Sequence, residues 1–184
     1  MTMTPRLRKV ALTAHVATSV GWMGAVAAYI ALDIAAATRQ DTQTLRAAYL
    51  AMELIAWYVI VPLAFASLLG GLVMSLGTKW GLFRHYWVLI SLLLTIIATG
   101  VLLVETRTIS YFADIAADPT TSGDDLRALG NTLVHSVGGT IVLFVILVLN
   151  VYKPRGLTPY GWRKQREQRA KQAMQREQRP VPQP

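Results

Sequence analysis

No cysteine occurs in the 184 residues, which excludes disulfides, Cys-based zinc sites, iron–sulfur clusters and thiolate catalysis. Charge is also scarce. Asp, Glu, Lys and Arg make up 15% of the chain against 53% hydrophobic residues, where a soluble domain carries about one quarter charged residues. No Walker loop, GxGxxG, HExxH or Ser-His-Asp order is present, which disfavours a soluble-type ATPase, dehydrogenase or hydrolase. Acidic residues number 10 against 18 basic ones, giving a net charge of +8. With no binding motif or interleaved aromatics, that excess argues for membrane topology and against nucleic acid.

What the chain does have is four long windows almost free of charge, the pattern of a polytopic membrane protein. They predict an all-α bundle of four transmembrane helices over residues 1–152, with helices at about 10–32, 52–76, 87–104 and 126–152. Residues 153–184 then form a basic tail, mostly disordered or a solvated helix, too polar to build a core. The first apolar run is longer than the roughly 7–15 residues of a signal-peptide core, so it is read as a retained helix. Pro62 is expected to kink the second helix. Ser67, Gly71 and Ser75, four residues apart, give that helix a smooth stripe on which another helix, or a second copy of the chain, packs closely.

Orientation follows from where the charges fall. The N-terminal arm (Arg6, Arg8, Lys9), the loop at 77–86 and the tail hold three, two and nine basic residues, 14 of the 18, whereas the acidic residues divide 2 against 8 the other way. The positive-inside rule therefore expects both termini in the cytoplasm and two acidic connections outside. Trp80, Tyr86, Trp87, Tyr111 and Tyr152 fall near predicted helix ends and are expected to form an interfacial belt. The tail is expected to lie near anionic lipid, each close charge adding about 1 kcal/mol.

His15 is the residue on which a functional reading turns. An ionisable side chain inside a membrane span is a functional hypothesis by default; the other reading is a neutral imidazole hydrogen-bonded to a hydroxyl of another helix. Seven residues make nearly two helical turns, so His15, Trp22 and Tyr29 lie close to one line, with Ser19 and Gly24 alongside. An aromatic ladder ending in an imidazole suits the wall of a planar cofactor.

The residues Leu12, His15, Trp22, Met23, Gly24 and Ala25 resemble the first helix of several small bacterial membrane families. These are the copper-resistance D-type proteins, the membrane-type protoporphyrinogen oxidases that hold haem on a first-helix His, and a four-helix family of predicted integral membrane proteins of unknown function, similar in size and layout. The motif covers residues 12–25. The resemblance implies a bacterial cytoplasmic-membrane protein holding b-type haem, or a metal, with His15 as axial ligand.

Depth limits the partners of His15. At 1.5 Å per residue it lies about 8 Å inside one boundary and His135 about 10 Å inside the other, so roughly 12 Å of a 30 Å core separates them. That is too far for both to grip one iron. His85, beside Arg84 and near Lys79, is closer in depth, and this cationic mouth suits haem propionates; the alternative is an ordinary wet interfacial histidine. His135 is followed by Gly138 and Gly139, which leave space beside its ring, and shares its level with Asp33, Glu53, Glu105 and Arg107. His135 and Glu105 are candidate ligands for a divalent cation, with His15 the third metal-ligand candidate; an ion-pair knot closing the bundle is the competing role. Met23, Met52 and Met74 lack paired spacing and read as core filling. Three functions remain open: a redox or cofactor-handling protein; a non-catalytic membrane scaffold, homo-oligomeric or a subunit of a membrane complex, whose tail recruits lipid or a partner; and third a small transporter, for which there is no evident inverted repeat and few charges along any path.

Overall fold

The computed structural model describes residues 3–78 and 81–177. Lys79, Trp80 and the segment 178–184, including Arg179, lie outside the described residues. The elements are α1 (Pro5–Thr38), α2 (Thr42–Ile55), a π-helical turn (Ala56–Ile60), α3 (Val61–Gly77), α4 (Tyr86–Ala117), α5 (Gly123–Ala128), α6 (Leu133–Tyr152) and α7 (Pro159–Glu177). No strand occurs among the described residues. Four helical rods, Pro5–Thr38, Thr42–Gly77, Tyr86–Ala117 and Leu133–Tyr152, are long and apolar enough to cross a membrane. Their large outward residues, such as Val20, Leu69, Leu93, Val104 and Val134, are exposed, as lipid-facing side chains are in the absence of lipid.

The helices run past the expected boundaries because a helix does not stop where the apolar window stops. Asp41 caps α2, accepting from the Thr44 amide at 2.8 Å and its hydroxyl at 2.7 Å, so α2 starts ten residues before the expected position. These bonds, the hydroxyl's first, hold the Asp41 carboxyl below the usual carboxylate range. Helix α4 continues through 105–117, a stretch read from sequence partly as loop, because Ile109, Ala113 and Ala116 are buried there. With Leu45, Ala48, Tyr49 and Met52 of α2 and Leu126 of α5, they build a packed cap at the end of the bundle that holds the acidic connections. Arg46 closes it by donating to the carbonyls of Ala116, Asp118 and Thr121, the C-terminal end of α4, where a cation is favoured. Met52, 1% exposed, is core filling as expected.

Pro62 leaves its mark on the turn before it. Lacking an N–H, it cannot serve the carbonyl four residues back, and the chain answers with the π turn just before it, where the Val61 amide bonds the Ala56 carbonyl. Ser67 and Gly71 of the small-residue stripe pack against α1 of the same chain. Ser67 and Ser75 are buried, the Ser19 and Ser67 hydroxyls meet at 2.7 Å, and a Cβ on Gly71 would stand 3.3 Å from the His15 ring. Helices α1, α3, α4 and α6 pack around the interior.

At the other, basic end, α7 is clamped and not free. The Thr158 amide donates to the Arg84 carbonyl (3.0 Å), the Tyr86 amide to Gly156 (3.2 Å), and the Thr158 hydroxyl to Phe83 while accepting from the Gly161 amide (3.0 Å). Beyond this clamp α7 is a largely exposed helix with its basic side chains outward. Of the expected aromatic belt, Tyr86, Tyr111 and Tyr152 are exposed, but Trp87 is buried in the bundle.

Candidate functional site

The bundle interior holds two cavities placed end to end, and Trp22 and Leu143 line both. The larger, about 490 Å³, lies between α1, α3, α4 and α6 and reaches the basic end at Thr78, Trp87, Asn150 and Lys153. That volume is within the roughly 300–1,000 Å³ of ligand pockets. His15 is in its wall, and so are the hydroxyls of Ser19, Ser67, Ser91 and Thr95 and the thioethers of Met23 and Met74. Helix α1 brings His15 there by seating it in a notch of α3: a Cβ on Gly70 would stand 3.1 Å from Nδ1 and 3.3 Å from the His15 Cα. Such an approach of two helices needs glycine on one of them.

Two buried polar atoms of this wall have no hydrogen-bond partner among the described residues, His15 Nδ1 and Ser91 Oγ. The Ser67 carbonyl lies beside the His15 ring. Thr95 and Thr99, by contrast, turn their hydroxyls onto the carbonyls one helical turn back. Buried polar atoms are nearly always satisfied, so these two mark where the packing of the wall leaves a polar group unanswered.

The smaller cavity, about 90 Å³, lies toward the acidic end under Glu105 and His135. Nε2 of His135 is 3.4 Å from Oε1 of Glu105; the His side chain is 55% exposed and the Glu 17%. Behind it runs a polar network that sequence reading did not place. Asp33, fully buried, accepts from the Thr132 amide (3.0 Å), the Thr132 hydroxyl (2.9 Å) and the Ser136 hydroxyl (3.1 Å), and the Tyr29 hydroxyl meets that of Thr132 at 2.8 Å. Asp33 thus serves as a cap lent by α1 to the start of α6.

The structure therefore divides the sequence candidates. His15 lines the larger cavity, Tyr29, Glu105 and His135 the smaller, and Trp22 the wall between, so the expected ladder of His15, Trp22 and Tyr29 does not face a single chamber. His135 and Glu105 do meet, as the depth argument allowed, while no group of three His, Asp or Glu side chains suited to a metal occurs among the described residues. Gly139 lines the chamber beside His135, with open space at its Cβ position. His85 lies outside the wall of the larger cavity, its ring 6.4 Å from that of Trp87, which belongs to it. Arg84 reaches toward α7, where its Nη2 meets Gln168 at 3.1 Å. Among the described residues, the Lys or Arg in the cavity wall is Lys153, which sequence reading did not single out.

The fit to haem can be judged from these residues. A single imidazole, an apolar wall of suitable volume, a close-packed glycine notch behind the ligand and a cation at the mouth for propionates suit a haem held on one protein ligand. No second histidine lines the cavity, so bis-histidine ligation does not fit. Comparison with protein families, with curated proteins and with solved structures finds no match for this chain.

Proposed function

We propose that this is a bacterial inner-membrane protein, both termini cytoplasmic, whose bundle binds b-type haem on His15 in a cavity open toward the cytoplasmic end. The observation that carries this reading is the placement of one imidazole, His15, in the wall of a 490 Å³ cavity that is otherwise mainly apolar. His15 holds the group, Lys153 meets its acidic edge, and Trp22, Met23, Met74 and Leu143 enclose its apolar body. Bound there, haem supplies one-electron redox chemistry.

Purified from cells supplied with haem, the protein is expected to show a Soret band that sharpens on dithionite reduction. His15→Ala is expected to remove it and His135→Ala to leave it. A Soret band that survives His15→Ala defeats the assignment.

The orientation rests on the 14 basic residues of one end against 4 at the other. A cysteine placed at Thr121 is expected to react with an impermeant maleimide on intact cells, and one at Gln172 only after lysis. The reverse pattern inverts the protein. The second reading, a membrane scaffold, is favoured by α7: a clamped helix presenting Arg163, Arg166, Arg169, Lys171 and Arg176 outward suits anionic lipid at the inner surface.

A further inference from the structure

The smaller cavity is separate from the haem site proposed above, and its chemistry is different. Its wall is mainly aliphatic and aromatic, with Trp22 and Tyr29 both 4% exposed, and polar only at Glu105, Thr132, His135 and Ser136 and at the Tyr29 hydroxyl. Its formal charge is a single carboxylate, Glu105, and no Lys or Arg belongs to the wall. Asp33 is occupied by three donors, and the Tyr29 and Thr132 hydroxyls by each other, so Glu105 is the acceptor with capacity to spare. Among the described residues its partner is His135, at the long distance of 3.4 Å. The surrounding end of the molecule carries 8 acidic residues and 4 arginines, a field that concentrates cations.

These features select a ligand class by elimination. An anion is refused by Glu105. A metal ion needs several oxygen or nitrogen donors to replace its water shell, and of such ligands this wall offers Glu105 and His135, with no third His, Asp or Glu grouped with them among the described residues. A neutral apolar molecule leaves the carboxylate unanswered. What answers both the wall and the charge is a cation with an apolar body, small enough for 90 Å³ and attracted by aromatic rings. We infer that the chamber between Glu105, Trp22 and Tyr29 is a binding site for a small alkylammonium ion. Glu105 takes the ammonium, the rings and aliphatic side chains take the alkyl group, and His135 is the neighbour that the ligand displaces from Glu105.

The test uses the full chain in nanodiscs, titrated calorimetrically with isopropylammonium chloride, with isopropanol as a neutral analogue of equal heavy-atom count and sodium chloride as the salt control. Saturable binding of the ammonium is expected, at least tenfold tighter than the alcohol, with none for sodium. Glu105→Gln is expected to weaken it at least tenfold. Because Glu105→Gln also removes the ion pair to His135, a second variant decides independently: Gly139→Val projects into open space in the chamber and is expected to abolish binding while leaving the fold intact by circular dichroism. His135→Gln, which removes the competing imidazole, is expected to keep or tighten binding. Absence of saturable binding by the wild type, equal affinity for alcohol and ammonium, or binding that persists in folded Gly139→Val would overturn the proposal. None of these results depends on a Soret band.

Discussion

Asp33→Ala is expected to be the most damaging substitution in the acidic half of the bundle, costing about 3–5 kcal/mol of unfolding free energy. Asp33 is 0% exposed and receives three hydrogen bonds from residues about a hundred positions away in sequence. Alanine strands the Thr132 amide, the Thr132 hydroxyl and the Ser136 hydroxyl where water does not replace the carboxylate. Each buried donor left without a partner costs about 1–3 kcal/mol, less when a hydroxyl can turn elsewhere. Ser136 has such an escape, the Leu133 carbonyl at 3.2 Å, and Thr132 has Tyr29; the backbone amide has none. Asp33→Asn keeps one oxygen for that amide and turns an NH₂ toward hydroxyls that can accept, so about 1–2 kcal/mol is expected. Thermal unfolding in detergent, followed by circular dichroism, checks the ordering. Equal and small losses for both variants would mean that Asp33 does not hold the start of α6.

That contrast also shows what a linear reading of the chain can reach. Four membrane-length helices, the polarity of the two ends, the small-residue stripe of Ser67 and Gly71, and the space beside His135 all follow from local composition and helical spacing, and each has a counterpart in the structure. His15 was visible because an imidazole in an apolar run is conspicuous. Its surroundings were not: the Gly70 notch, Ser91 and Lys153 come from α3, α4 and the end of α6, and only tertiary packing brings them to one wall. Asp33 was legible only as a charge near a helix end, since nothing local says that its partners arrive with residues 132–136. The ends of α2 and α4 were misjudged for a related reason. A hydropathy window marks where lipid would begin, whereas Asp41, Tyr49 and Ile109 continue the helices into a cap held by ordinary burial. The Trp87 belt assignment failed because nearness to a helix end does not say which face a residue occupies; Trp87 faces inward.

Gly161→Val is expected to release α7 while sparing the rest of the protein. The docking of α7 depends on backbone against backbone: Gly161 is buried, and a Cβ there would fall inside contact distance of the Arg84 carbonyl oxygen and carbon, with the Leu157 side chain 3.1 Å away on another side. A flexible side chain could move aside, but a carbonyl fixed at the start of α4 cannot do so cheaply, and it is also the acceptor for the Thr158 amide. Relief therefore requires the clamp to open, with loss of the Thr158–Arg84, Tyr86–Gly156 and Gly161–Thr158 hydrogen bonds, each worth roughly 0.5–1.5 kcal/mol net. Amide hydrogen exchange reads this directly. The Tyr86 and Thr158 amides should be protected in the wild type and exchange at least tenfold faster in Gly161→Val, while protection across α1, α3 and the middle of α4 stays unchanged. Gly161→Ala, with the same Cβ, should reproduce most of the effect, which separates the steric clash from any property of valine. If α7 serves as the basic arm that holds anionic lipid, both variants should also weaken binding of the whole protein to vesicles rich in anionic lipid, although every positive charge is still present; an arm acting through charge alone would bind as before.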